Sequence, residues 1–539
     1  MTEQKHSQSL EKTVPKPDIT DPQVQRKMLL EQEPKILEAA SMLATRIKAV
    51  PLDPRFPDLE PKALIVGGFV RDALLNKNPK DADIEVYGLM ADRLEMVLEQ
   101  LFPGKVNMVG RAFGIYKIAA EPGIEFDVSI PRYESKTGPN HDDIKVTGVP
   151  SMTIKEAVRR RDFSWNALAA DPLSGEVFDY FNGASDLKNG ILRATDPERF
   201  QDDPLRVYRA IQFSARMGLK VEPESFKLMT QMVERGDLDY VKPERISSEI
   251  QKLLLKSEKP SIGLELAREL GIVEKYFPEM QALIGLEQEK EWHPEGDVWT
   301  HTMMVLDAAA KIIKKNPNIF SENEKLSVMI GSICHDFGKA TTTKFENGRI
   351  RSSGHEAAGE EPALRFLKRL KIGDEIVAMV KAIVVEHLQP GVLYRARIMP
   401  EEKPGSLNAR QYTNAVRKCM KRIGRMPCRV FLAASEADHR GRTVPGVADD
   451  EYTEGLLFEE AVARFGLDKE AAKPLVGGVD IIKIAGELGL AMKQGPQIGF
   501  FQKKIEEKRD SGDIVTREEG LKLLREMLQT VKDRESVNA

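Results

Sequence analysis

Asp81 and Asp83 stand one residue apart in "DADIEV", nine residues after the stretch "GGFVRD" ends at Asp72. In an extended chain, residues i and i+2 project to the same face, so both carboxylates converge on one point and repel. A divalent cation resolves that conflict. Oxygen-only donors near a triphosphate favour Mg²⁺, and two such ions about 3.5–4 Å apart activate an attacking hydroxyl and stabilise departing pyrophosphate. Asp127 in "IEFDVSIPR" lies on a later strand-like run and is the candidate third carboxylate. Upstream, "ALIV" reads as a buried strand, and Gly67-Gly68 lets the backbone turn sharply and lie close to a ligand. A helix starting there aims its free N–H groups at a phosphate, and Arg71 adds a bidentate donor. The pattern fits nucleotidyl transfer.

A second constellation lies downstream. Six of the eight histidines (His293, His301, His335, His355, His387 and His439) fall between 293 and 439, marking a possible metal site. Cys334, Cys419 and Cys428 share no ligand spacing and form no even framework, so they are expected as reduced thiols.

These residues need several units to position them. At 539 residues, the chain is expected to form roughly three or four units. Hydrophobic residues at 41% and charged residues at 30% fit a soluble globular class. No run approaches the roughly 18 consecutive apolar residues of a membrane span, and the N-terminus has no targeting pattern, so a cytoplasmic location without a membrane partner is expected. The net charge of −4 excludes a globally basic nucleic-acid binder, leaving any RNA contact to local patches. Periodicity predicts an α+β head over 34–195 behind a flexible tail, 1–33. An all-α neck (196–290), a histidine-bearing helical domain (291–445) with a loop-rich stretch near 388–408, and a helical C-terminal body (446–539) follow.

"GGFVRD…DADIEV", "RRDFSWNALA" (160–169) and "DDPLRVYRAIQFSAR" (202–216) together resemble the class II tRNA nucleotidyltransferase and bacterial poly(A) polymerase superfamily. Within it, the chain is similar to the bacterial CCA-adding enzymes that carry an HD domain. The resemblance implies a polymerase-beta-like head and addition of C, C and A to a tRNA 3′ end from CTP and ATP. It places Gly67, Gly68, Arg71, Asp72, Arg132, Arg161, Arg206 and Arg209 around the nucleotide, and makes Asp162 the reader of the ribose. Tyr133 to Lys155 resembles the flexible loop used to switch from C to A, which argues against an enzyme adding only C. The family usually begins its template motif with Glu, where this chain has Asp202.

Asp203 and Arg206, three apart on a predicted helix, share a face. A carboxylate only accepts and a guanidinium only donates, so the pair suits cytosine and adenine, which each set an exocyclic amine beside a ring-nitrogen acceptor, whereas uracil and guanine set a carbonyl beside a ring N–H. The resemblance makes this pair the amino-acid template.

"WTHTMMVLD", "ICHDFGKAT" and "SEADHRGR" resemble the HD phosphohydrolase pattern, giving His301, His335, Asp336 and Asp438 as ligands for Ni²⁺, Mn²⁺ or Co²⁺, with His355 and His387 as further ligands or phosphate contacts. The implied activity is hydrolysis of phosphomonoesters or 2′,3′-cyclic phosphates. Arg417, Lys418, Lys421, Arg422 and Arg425 recur at helical spacing as one basic face for an RNA backbone. A monomer or a homodimer fits equally. The competing readings are an A-adding or CC-adding partial enzyme, a poly(A) polymerase, and an HD phosphohydrolase or RNA-binding protein with an inert head. "VGRAFGIYK" lacks the arginine-rich segment usual after the paired aspartates in poly(A) polymerases, and intact Asp81, Asp83, Asp203 and Arg206 argue against inertness.

Overall fold

A computed structural model describes residues 17–32, 34–79, 81–110, 115–121, 124–136, 144–445, 450–466, 474–490, 492, 495–510, 513–514 and 516–538. The chain divides into two compact units. One runs to Glu249 and includes Glu269–Gly271; the other comprises Ile250–Arg268 and everything from Ile272. The division falls inside the helix Pro243–Lys256, so the head and the first neck helices form one unit, with no break at 195.

The first unit is built on a mixed seven-stranded sheet. Its strands are β1 (Lys62–Val66), β2 (Asp81–Tyr87), β3 (Val106–Gly110), β4 (Ile115–Glu121), β5 (Ile124–Ser129), β8 (Ala169–Ala170) and β9 (Val177–Phe178), in the order β3-β4-β5-β2-β1-β8-β9. A separate antiparallel pair, β6 (Arg132–Lys136) and β7 (Ile144–Gly148), lies between β5 and β8 in sequence. β1 is apolar from its second residue onward because every side chain there is buried. β2 alternates only at its start, where Asp81 and Asp83 are exposed around buried Ala82. Leu64, Val66, Tyr87, Ala157, Val158 and Ala167 share one core cluster of this unit. β10 (Ile191–Leu192) and β11 (Lys220–Val221) form a short parallel pair near the helix Leu205–Met217, which ends on the left-handed Gly218.

The expected tail needs correcting over part of its length. Residues Pro22–Leu30 form a helix with Asp21 as its N-cap, and fully buried Leu29 anchors it. The capping signal "TDPQ" was present, but a nine-residue helix gains its stability from packing that periodicity does not display. Residues 1–16 lie outside those described.

The second unit is helical, with one exception to the expected pattern. β12 (Lys344–Glu346) and β13 (Arg349–Arg351) form an antiparallel hairpin, turned through Asn347 and Gly348 at positive φ. The stretch expected to be loop-rich contains the helix Gln389–Ile398, begun by a proline in its first turn. Residues Asp374–Ile398 are long and apolar enough to cross a membrane, but the apolarity serves the core: Met379, Val380, Ile383 and Val384 are buried. None of the three cysteines is in a disulfide, and all three are buried. Residues from 474 onward build their own core, with Ile481, Ala485, Phe501, Ile505, Leu524 and Leu528 at its centre.

Candidate active site and metal centre

Sheet register gathers the head's carboxylates. β2 runs parallel to β5 with Asp83 opposite Asp127 and Asp81 opposite Glu125, while β1 places Val66 beside Asp83. Asp81, Asp83 and Asp127 therefore occupy one face, next to the Gly67-Gly68 turn. Although the Asp83 side chain reaches solvent, the protein packed around it displaces enough water to push its carboxyl above its ordinary range, and Asp127, Asp81 and Glu85 add to this against the opposing pull of Arg161. A carboxylate cluster so short of positive charge fits a divalent cation. Lys117 Nζ is 3.9 Å from Asp127.

The turn itself requires glycine. Gly67 has φ +73°, and a Cβ there would meet Arg161 Nη1 at 2.2 Å. Arg161 is held above the turn by a residue absent from the sequence expectations, Glu85. Its carboxylate accepts from Arg160 Nη2 at 2.6 Å and Tyr87 Oη at 3.0 Å, and lies 3.8 Å from Arg161 Nη2. Burial alone would raise the Glu85 carboxyl, but Arg160 and Arg161 hold it below the usual range. The signal was visible as the third acid of D-x-D-x-E on the same strand face.

The nucleotide-side residues are networked. Arg71 donates bidentately to Asp72 at 2.8 and 2.6 Å and to Asn166 Oδ1 at 2.7 Å. Asp162, expected to read ribose, is buried and accepts from the Phe163 N–H, Asn166 Nδ2 and Arg209 Nε at 2.9, 2.9 and 2.7 Å. In this arrangement it orients Arg209. Arg132 begins β6, opposite Gly148. The segment expected to be the switching loop includes residues 137–143, which lie outside those described.

Asp203 is not on the helix with Arg206. It lies two residues ahead of Leu205–Met217, before the N-cap Pro204, and its Oδ1 accepts the Leu205 N–H at 3.2 Å, the local turn bond that an Asp makes to the backbone two residues on. Its side-chain partner is Arg245, at 3.2 Å, and Arg206 donates instead to the carbonyls of Arg199 and Arg160, both at 2.6 Å.

In the second unit, three helices and the segments between them converge. His301 Nε2 is 3.0 Å from Asp438 Oδ1 and 3.4 Å from His335 Nε2, and His335 Nε2 is 3.2 Å from Asp336 Oδ2. The donor atoms of His301, His335 and Asp336 lie within 4.8 Å of one another. Burial would raise Asp336 and Asp438, but His335 and Lys339, and His301 and His335, respectively hold them well below their ordinary value. His335 Nδ1 donates to the Ser332 carbonyl at 2.8 Å, which turns the lone pair of Nε2 inward. This donor set fits a transition metal. Sequence reasoning missed Glu295, which accepts from both His293 Nδ1 and His301 Nδ1 at 2.8 Å. A cavity of about 520 Å³ opens on Asp336 and Asp438 and is also lined by His355, His387, Trp292 and Arg442.

The basic helix is divided in use. On Ala409–Ile423, Arg422 makes a bidentate pair with buried Glu386 at 2.5 and 2.7 Å, and Arg417 donates to the Arg509 carbonyl at 2.5 Å. Lys418 and Lys421 are exposed, and Arg425 is exposed beyond the terminating Gly424. One basic face of five residues is therefore corrected to two structural arginines and three outward cations.

Three family descriptions match successive parts of the chain: a poly A polymerase head domain over 63–193, a probable RNA and SrmB- binding site of polymerase A over 218–284, and an HD domain over 298–419. The multifunctional CCA protein of Actinobacillus pleuropneumoniae serotype 5b (strain L20) is 32% identical over 425 residues, spanning 76% of this chain and 95% of that protein. Its counterpart in Nitrosococcus oceani is 32% identical over 420 residues, spanning 76% and 92%. In fold, the chain is similar to the Bacillus stearothermophilus CCA-adding enzyme solved with CTP (TM-score 0.61, 18% identity, 93% and 100% of the two chains). It is also similar to the Thermotoga maritima enzyme complexed with tRNA (TM-score 0.57, 20% identity, 95% and 99%).

Proposed function

Since the chain belongs to the family of multifunctional CCA proteins, we propose that it adds C, C and A to the 3′ end of tRNA from CTP and ATP without a nucleic-acid template, and that its HD unit hydrolyses phosphate esters. The observation that carries the first part is the convergence of Asp81, Asp83 and Asp127 beside the Gly67-Gly68 turn.

Mg²⁺ held by Asp81, Asp83 and Asp127 would favour ionisation of the attacking 3′-hydroxyl and neutralise charge on the departing pyrophosphate. The chain supplies the rest. The N–H groups opening the Gly68–Leu74 helix, with Arg161 above them, face the phosphates. Asp203 accepts from the exocyclic amine of C or A, and Arg206, which commits two of its five N–H groups to carbonyls, donates to the adjoining ring nitrogen. Arg245 steadies Asp203, and Arg209, oriented by Asp162, borders the same face. The tRNA backbone is met by Lys418, Lys421 and Arg425.

In the HD unit, His301, His335, Asp336 and Asp438 would hold a transition metal, which would supply Lewis-acid activation of water and of a phosphate oxygen. Phosphomonoesters and 2′,3′-cyclic phosphates are the substrates the neighbouring cavity suits, with Arg442 and Lys339 in its lining.

The test supplies tRNA ending before CCA, after C and after CC with CTP and ATP separately. Two C additions on the first substrate and A only on the third support the full activity. Products stopping at CC, or A addition alone, would reduce it to a partial enzyme.

A further inference from the structure

We propose that the indole of Trp292 is a nucleobase platform at the mouth of the HD cavity, selecting phosphate esters carried by a nucleoside over those of small alcohols. The proposal rests on the phosphohydrolase reading of that unit and names the residue that chooses its substrate.

The three tryptophans of the chain are used differently. Trp165 and Trp299 are core residues, 0% and 2% exposed, whereas Trp292 is 51% exposed and lines the cavity that opens on Asp336 and Asp438. Trp165 stacks on Phe163, and Trp299 donates its Nε1 proton to Glu265 at 2.6 Å. Among the described residues, the Trp292 side chain has no hydrogen bond and no ring contact. One exposed aromatic alone says little, but this one belongs to a patch. Ile350 lines the same cavity, and hairpin register sets Phe345 directly opposite Ile350. Cross-strand partners share a face, so Phe345, 76% exposed, continues the apolar rim that Trp292 and Ile350 begin.

The indole is free, but its backbone is held. The Trp292 and His293 N–H groups both donate to the Glu289 carbonyl, at 3.1 and 3.0 Å. His293 Nδ1 is 2.8 Å from Glu295, which also accepts from His301. The hairpin is tied to the same loop: Glu289 Oε2 accepts the Ile350 N–H at 3.0 Å, and Glu291 pairs with Arg349 at 3.1 Å. A ring fixed in place before its ligand arrives loses little freedom when a base stacks on it.

Size and charge favour a nucleotide as the occupant. The cavity of about 520 Å³ falls within the range of sites that enclose a whole small molecule, well beyond what a phosphate group fills. Arg351 and Arg395 also line it, and neither is in an ion pair among the described residues, so both guanidiniums remain available to phosphate oxygens. Recognition of the base is by its face. The polar side chains ahead of Trp292 are committed, Gln288 Oε1 to Lys339 Nζ at 2.7 Å and Glu289 to the hairpin, so neither reads a base edge. Every base has a π-face, and the site therefore takes all four, purines ahead of pyrimidines because they cover more of the indole.

The test uses the full chain loaded with Mn²⁺ and compares adenosine 2′-phosphate, uridine 2′-phosphate and glycerol 2-phosphate. We expect kcat/KM to fall in that order. In Trp292→Ala the preference for the adenosine ester over the glycerol ester should drop by about 10-fold, the loss of one base–aromatic stack, carried by KM and not by kcat. Trp292→Phe should keep most of the preference. An equal loss on both esters, or an unchanged preference, would overturn the platform. Binding is read separately, without added metal, from iodide quenching of tryptophan emission, which reports Trp292 because the other two indoles are buried. Adenosine 2′-phosphate should shield that emission and glycerol 2-phosphate should not; no shielding would overturn the platform. Shielding with no hydrolysis of any ester under Mn²⁺, Ni²⁺ or Co²⁺ would keep the platform and overturn the phosphohydrolase reading.

Discussion

The two candidate metal sites of this molecule bring their residues together by opposite means. In the head, three carboxylates come from two neighbouring strands and face solvent, set side by side by register alone. In the HD unit, imidazoles and carboxylates come from helices more than a hundred residues apart, with His301 and Asp438 meeting at 3.0 Å in a buried centre. Open oxygen donors suit a labile Mg²⁺ that arrives with the nucleotide, and enclosed nitrogen and oxygen donors suit a resident transition metal. The first cluster lies on an open strand face; the second is built into the core.

The strongest way to break that contrast is Asp83→Ala. It should lower addition of both C and A by about 10³-fold or more, since metal binding serves every step. Hydrolysis of a 2′,3′-cyclic nucleotide should be unchanged, and a matching fall in both activities would mean that the two sites are not separate. Next in size is Glu85→Gln. Removing the charge that Arg160 and Arg161 surround should destabilise the first unit by about 3 kcal/mol. Because the folded state holds Glu85 below its ordinary value, its contribution is present above the unfolded pKa of about 4.3 and is lost as pH falls through the folded value. Denaturant melts of wild type and variant should therefore differ most near neutrality and converge in acid. A constant difference across that range would remove the charge from the explanation.

His335→Ala sharpens the comparison from the other side. Hydrolysis should fall by about 10²-fold with nucleotide addition retained. After chelation, Mg²⁺ alone should restore addition, whereas hydrolysis should return only with Mn²⁺, Ni²⁺ or Co²⁺. Recovery of both with Mg²⁺ would show that the buried donors do not discriminate.

The same contrast governs what could be read from the chain. Asp81 and Asp83 were legible because a strand turns i, i+2 spacing directly into a shared face. Glu85 belonged to that pattern but reads as a solvated acid until Arg160 and Arg161, in the turn after the helix Ile154–Arg159, are brought over it. The meeting of His301, His335 and Asp438 was expected from resemblance alone, since nothing in their spacing specifies a common point. Glu295, six residues before His301, could have been suspected only once His301 was known to need a fixed tautomer. The basic helix failed for a related reason: charge periodicity cannot distinguish a solvated arginine from one bound to a buried acid such as Glu386.

The smallest expected effect concerns the selectivity pair, where local reasoning went furthest astray. Helical spacing suggested that Asp203 and Arg206 share one helix face, yet the helix starts at Leu205, after Pro204, and Arg245, 42 residues later, pairs with Asp203. A carboxylate without that guanidinium keeps its turn bond to the Leu205 N–H but loses a second partner that fixes its side chain. Arg245→Ala should therefore leave the rate with CTP and ATP within a few-fold of wild type while raising misincorporation of U and G by about 10-fold, the loss of one oriented hydrogen bond. Unchanged misincorporation would return Arg245 to a structural part and leave Asp203 positioned by its backbone turn alone.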